Sequence, residues 1–239
     1  MNSNIDNPTG TLFLVSTPIG NLEDITLRAL RTLKEVDFIC AEDTRTVGKL
    51  LSHYDIKNRV ISYYSYNEQK RIPQIMNMLK SGESVALVSE AGTPSISDPG
   101  QRLVVECVNY DINIVPIPGP SAVVASLVAS GLPTDRFLFQ GFLPRKKGRN
   151  KVLQNLSSEP GTIILFESNM RIQKTIEDVV KIMGNRYIVI SRELTKRFEE
   201  HIRGFATDIL SIIQSKKLKG EIVLLIAGEK FKKIEKALE

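Results

Sequence analysis

The sequence predicts an α/β protein of two domains, a mostly parallel sheet in the first and a mixed sheet in the second. Two observations carry that expectation. Short β-rich apolar runs alternate with helical patterns from residue 11 to residue 118, the signature of βαβ units. Beyond Pro133 the strand runs continue, but two of them are separated only by Thr195, Lys196 and Arg197, too few residues for a crossover helix and enough for an antiparallel hairpin. The chain has 239 residues, enough for one large domain or two of about 120, so length permits this reading without deciding it. The expected boundaries are 11–119 and 120–232.

The elements follow in order. "TLFLVS" (11–16) reads as an apolar strand, and "ITLRALRTLKEV" (25–36) has helical spacing with Asp24 available as N-cap. "DFICAE" (37–42), "VISYYS" (60–65), "SVALVSE" (84–90) and "INIVPIP" (112–118) are further strands, with helices expected near 44–54, 68–81 and 100–109. In the second half the strands are "RFLFQGFLP" (136–144), "TIILFES" (162–168), "RYIVISREL" (186–194), "FEEHIRGFA" (198–206) and "EIVLLIAGE" (221–229). Helices are expected near 146–157, 170–183 and 206–215, and the Lys-rich end from Lys230 reads as a solvated helix. Ligands of such sheets bind outside the carboxyl ends of the strands.

Composition excludes several classes. With 42% hydrophobic and 25% charged residues the chain is globular, and its formal charge of +5 is modest enough that placement of the cations matters more than their number. Cys40 and Cys107 lie in apolar segments without a C-x-x-C, as reduced core thiols of a cytoplasmic protein do. His53 and His201 have no His or Cys at ligand spacing, which argues against a zinc site and a Ser–His–Asp triad; no metal is expected. "MNSNIDNPTG" lacks the basic and apolar regions of a signal peptide. Residues 112–134 carry no charge, but prolines and glycines leave too little continuous helix to span a bilayer; they read as a buried strand followed by a buried helix.

Three strands of the first half end in loops built for close backbone approach: "STPIGN" (16–21), "SEAGTPSISDPG" (89–100) and "PIPGPSA" (116–122). Glycine lets a ligand lie against the main chain, and proline fixes a loop without an ordering cost on binding. Any one of them alone is turn chemistry. Three at the ends of one sheet make a binding cleft the better reading. The first strand has no G-x-G-x-x-G and no Walker A loop after it, so nothing here grips a pyrophosphate.

These motifs, with "AEDTR", "SGLPTDRFLFQGFLP", "FES" and "REL", resemble the ribosomal RNA small-subunit methyltransferase I family of the tetrapyrrole methylase superfamily, in order and spacing from about Gly10 to Glu229. The resemblance implies a cytoplasmic homodimer that uses S-adenosylmethionine to methylate the 2′-oxygen of a cytidine in the decoding region of 16S ribosomal RNA in the small ribosomal subunit. It implies a cofactor folded into a cleft between the two domains. Contacts carry over to Pro18, Ala91, Gly92, Thr93, Ser121 and Ala122, and from the second domain to Leu143 and Ala227. Thr93 stands where tetrapyrrole enzymes have aspartate, which matches the RNA branch. The competing readings are a tetrapyrrole C-methyltransferase and a non-catalytic RNA-binding module.

The acceptor side is read from charge. "PRKKGRNK" (144–151) has five cations in eight residues and no acid, which points to phosphate contact by Arg145, Lys146, Lys147 and Arg149; Arg45 joins them at the rim. "SKKLKGE" (215–221) is a weaker run. Methyl transfer to a ribose hydroxyl is helped by a base, and the candidates at strand ends are Asp98, Asp43 and Glu42, with Glu90 nearby. Each has an alternative as a cap or ion-pair partner: Asp43 for the helix at 44–54, Asp98 for the helix after Pro99. The sequence leaves that choice open.

Overall fold

The structure is a computed structural model and describes residues 9–232. The chain divides into two compact units, one ending at Ser121 and one beginning at Ala122. The first contains β1 (Thr11–Val15), α1 (Leu27–Glu35), β2 (Phe38–Ala41), α2 (Thr44–His53), β3 (Arg59–Ser62), α3 (Glu68–Lys80), β4 (Val85–Val88), α4 (Gln101–Asn109) and β5 (Asn113–Ile117). Its strands form one sheet in the order β3-β2-β4-β1-β5, and every pairing is parallel.

Alternation along each strand divides the core between two faces. Val15, Ile39, Ala41, Ala86 and Val88 pack with Ala29 and Leu33 of α1 and Val47 and Leu51 of α2. Leu12, Cys40, Val85 and Leu87 pack with Ile75 and Leu79 of α3 and Leu103 and Cys107 of α4. With both faces covered, the inner strands need apolar residues at every position, hence the unbroken run Val85–Val88, buried throughout. Both cysteines are buried free thiols; burial pushes Cys40 up to about 12 and Cys107 up to about 11, so neither is a nucleophile near neutral pH.

Two local expectations are corrected here. Asp24 is not the cap of α1: it closes a short 3-10 turn over Leu22–Asp24 that Asn21 caps, and Thr26 accepts the Ala29 N–H at 3.1 Å instead. Residues 112–134 are not a buried strand and a buried helix. β5 lies at the sheet edge with Asn113 and Pro116 exposed, and Val124 and Val128 on the following helix are exposed as well. An edge strand and a surface helix bury one side only, and the absence of charge did not reveal that.

The second unit contains that helix, α5 (Ala122–Val128), then β6 (Phe137–Phe142), α6 (Arg149–Leu156), β7 (Thr162–Ser168), α7 (Ile172–Met183), β8 (Tyr187–Arg192), β9 (Glu200–Phe205), α8 (Ala206–Ser215) and β10 (Glu221–Ile226). The sheet order is β6-β7-β10-β8-β9, with β6 and β7 parallel and the other pairs antiparallel. β8 and β9 form the expected antiparallel hairpin, but the strands stop short of the expected bounds and the connection is 193–199 instead of 195–197. Ile163, Leu165, Ile188, Ile190, Ile222 and Leu224 face a layer of α6, α7 and α8. The Lys-rich end is turn and coil as far as Lys232; the rest of that expected helix lies outside the described residues. Among the described residues no helix is long and apolar enough to cross a membrane.

Candidate functional site

Parallel pairing puts the loops after β2, β4, β1 and β5 side by side along one rim of the first sheet. They are stitched together. Thr17 and Gly92 exchange main-chain hydrogen bonds of 2.9 and 3.0 Å, and the Ser16 N–H donates to the Ile117 carbonyl at 3.3 Å. The Thr93 hydroxyl donates to the Pro120 carbonyl at 3.3 Å, which leaves the Ser16 hydroxyl as donor in the 3.0 Å contact between the two side chains. Thr93 is thus the knot among three loops. Gly92 has a φ of +83°, and a Cβ there would lie 3.2 Å from Ile19 Cγ2; at Gly119 it would lie 2.9 Å from Ser16 Cβ. The glycines are needed where loop meets loop.

What remains free is specific. Both main-chain groups of Gly92 are engaged by Thr17, but among the described residues the N–H groups of Ala91 and Thr93 on either side have no acceptor. The same rim holds a cavity of about 330 Å³ lined by residues of the loops after β1 and β4 and of α2, among them Thr17, Pro18, Leu22, Val47, Lys49, Ser89 and Glu90. Unspent amides and a partly apolar cavity on one rim suit a small ligand with polar ends. Ser121 ends this unit and is half-buried, as is Ala122, the first residue of α5.

The long loop after β4 is anchored at both ends. Ser89 donates to the Gly92 carbonyl at 3.2 Å, and the buried Glu68 accepts from Tyr63 Oη at 2.8 Å and from the Gly100 N–H at 3.1 Å. Between the anchors Ser95 and Ser97 have φ of +69° and +66°, a conformation that persists only when the surroundings impose it. Asp98 does not cap α4; Gly100 occupies that position, without a side-chain cap.

The rim carboxyls fall into two kinds. Asp43 caps α2 through the Arg45 N–H at 2.8 Å, and Arg45 also grips it with Nη2 at 2.8 Å; those hydrogen bonds hold it down at about 2. A carboxylate so stabilised is a poor proton acceptor. Glu42 is raised by burial and by the charges of Asp98 and Glu90, and Asp98 is raised by burial and Glu90 although the Ser89 hydroxyl opposes the shift. No group of three or more His, Cys, Asp or Glu among the described residues is arranged to hold a metal ion.

In the second unit the Leu143 side chain is part of the core and its carbonyl accepts from Arg171 Nη2 at 2.8 Å. Ala227 is buried, donating to Tyr187 O at 2.9 Å and accepting from Arg186 at 3.3 Å. Arg145, Lys146 and Lys147 are exposed. Arg149 departs from expectation. It is buried, with Nε on Asp178 at 2.9 Å and Nη2 on Thr175 at 2.7 Å, so its charge is spent inside the unit and is not offered to phosphate. Position in a basic run had concealed that, because Gly148, at a φ of +87°, turns the chain before α6 begins. The hydroxyls of Ser16 and Ser89 were also missed; their signal is that each directly follows the last apolar residue of its strand.

Comparison with known proteins gives this rim a context. The family model for Tetrapyrrole (Corrin/Porphyrin) Methylases matches residues 11–210. "Ribosomal RNA small subunit methyltransferase I" of Streptococcus pyogenes serotype M3 is 49% identical over 221 residues, 92% of this chain and 77% of that protein. The protein of the same name from Thermotoga maritima is 47% identical over 92% of this chain and 99% of its own length. Among solved structures, diphthine synthase superposes with a TM-score of 0.71 at 16% identity, covering 91% of this chain and 90% of that one. Uroporphyrin-III C-methyl transferase from Thermus thermophilus, complexed with S-adenyl homocysteine, gives 0.64 at 16% identity, covering 91% and 97%. At that identity the two structures share the fold alone. The two curated relatives share close to half of the residues as well, and on that ground the chain belongs to the ribosomal RNA small subunit methyltransferase I family, within the tetrapyrrole methylases.

Proposed function

We propose that the protein is an S-adenosylmethionine-dependent methyltransferase that modifies the 2′-oxygen of a cytidine in the decoding region of 16S ribosomal RNA. The observation that carries this reading is the similarity, over 92% of the chain, to proteins named for methylation of small-subunit ribosomal RNA. The rim agrees in its chemistry: Ala91 and Thr93 hold N–H groups ready for a polar ligand, and Pro18 lines a cavity on the same rim.

S-adenosylmethionine, when bound, supplies an electrophilic methyl group. The chain's own residues have three tasks. The stitched loops at 16–21, 89–94 and 117–121 hold the ligand-facing amides in fixed positions, so that little ordering remains to be done on binding. Asp98 and Glu42, both raised by burial and by neighbouring carboxylate charge, are the carboxyls suited to take the proton of the ribose hydroxyl; Asp43 is not. Arg145, Lys146 and Lys147 neutralise phosphates of the acceptor. The family resemblance also supports a cytoplasmic homodimer, and light scattering at micromolar concentration should give twice the chain mass.

The decisive experiment is transfer of labelled methyl from S-adenosylmethionine to purified small ribosomal subunits, followed by mapping of the modified nucleotide. Label on a cytidine 2′-oxygen is the expected result. Label on a base, or none on RNA while the protein binds the cofactor, would overturn the assignment.

A further inference from the structure

Phe142, the last residue of β6, is 56% exposed. Its ring rests edge-on against Phe166 of β7, with centroids 5.6 Å apart, and Phe166 is packed in the same manner against Phe139 at 4.9 Å. The ring is therefore supported from behind and open in front. The residues that follow are held as firmly. Arg171 Nη2 donates to two carbonyls, that of Leu143 at 2.8 Å and that of Pro144 at 3.5 Å, and Arg149 is locked onto Asp178 and Thr175 at the far end. Glu167, 3% exposed, pairs with Arg171 at 3.4 Å and lies 4.0 Å from Arg149. The acids of this network face inward. Between the two pins Arg145, Lys146 and Lys147 stand exposed, with no ion pair among the described residues.

An open aromatic ring beside unneutralised cations on a fixed loop has the two features that recognise a single-stranded nucleic acid, a stacking surface for a base and charge for the phosphates around it. A base inside a duplex offers no face to stack on, so the ligand must be unpaired at that nucleotide. We propose that Phe142 stacks on an unpaired base of the RNA acceptor, while Arg145, Lys146 and Lys147 hold the neighbouring phosphates. This rests on the RNA reading above and names a contact which that reading lacks.

The chain has no tryptophan, so Phe142→Trp installs a single indole reporter at the position in question. Titration with a short single-stranded RNA oligomer should quench its emission to saturation, and the same sequence annealed to its complement should quench it far less. Phe142→Ala should weaken binding of the oligomer by roughly 5- to 150-fold, with Phe142→Leu close to Ala and Phe142→Trp close to wild type. The slope of log affinity against log salt should stay unchanged in these variants, whereas replacing Arg145, Lys146 and Lys147 by Ala should flatten it. S-adenosylmethionine affinity serves as the folding control. Wild-type affinity in Phe142→Ala, or full activity of Phe142→Leu, overturns the stacking role. Emission that responds to protein concentration and not to RNA assigns the ring to contact with a second copy instead. If the wild-type protein neither binds RNA nor methylates small subunits, the RNA reading itself falls, and this contact with it.

Discussion

Glu42 and Asp98 are raised from their ordinary values by burial and neighbouring charge, so their ionised forms are less favourable in the folded chain than in the unfolded one. Ionising them near neutral pH works against folding. Glu42→Gln and Asp98→Asn should therefore raise the midpoint of thermal unfolding at about pH 7–8, and the gain should shrink as the pH falls and be gone below about pH 3, where the wild-type carboxyls are protonated in both states. In methylation the same changes should run the other way. Loss of the proton acceptor should lower the rate by about 10²- to 10⁴-fold with cofactor affinity retained. Equal activity of both variants and wild type in a methyl-transfer assay would remove Glu42 and Asp98 from the role of base. Gly92 makes a second residue-scale test. A side chain at its φ of +83° is strained and pushes toward Ile19, so Gly92→Asp should displace the adjacent Ala91 and Thr93 amides and abolish S-adenosylmethionine binding in calorimetry. The type and order of these residues were legible in the sequence; the division of labour between Asp43 and Asp98 was not, because it depends on which carboxyl Arg45 reaches.

At the scale of elements, the start of α6 shows what a buried ion pair does for a surface loop. Arg149 ties the first turn of α6 to Thr175 and Asp178 of α7, and burial of Asp178 would raise it were Arg149 and Lys174 not there to lower it. Arg149→Ala leaves Asp178 and Glu167 with a lost partner inside the unit. It should cost about 3–5 kcal/mol, toward the lower figure because Lys174 still holds Asp178 at 3.1 Å, as read from the urea midpoint. Strands and helices themselves were legible from period and turn residues, since a sheet covered on both faces leaves continuous apolar runs and an amphipathic helix leaves a stripe. Arg149 was not legible. Its neighbours in sequence are solvated cations, and its partners lie 26 and 29 residues away.

For the whole molecule, the surplus of +5 is unevenly placed: the rim of the first unit gathers Glu42, Glu90 and Asp98, while the loop after β6 in the second holds unneutralised cations. The sequence showed both groups, and the topology explains why the acids meet, because β2 and β4 are adjacent strands. The sheet edges have a consequence for life at high concentration. β5, at one end of the first sheet, contains Pro116, which has no N–H to offer an approaching strand. β6, at one end of the second, shifts register between Phe139 and Gly141. An incoming chain could form only a broken ladder along either edge, so stacking of copies into fibrils meets an obstacle in each half of the protein. Pro116→Val restores the missing donor and completes a β-branched run over 114–117. Concentrated, gently heated samples of that variant should gain thioflavin fluorescence and turbidity earlier than wild type, and identical lag times for the two would remove the proline's role as a guard.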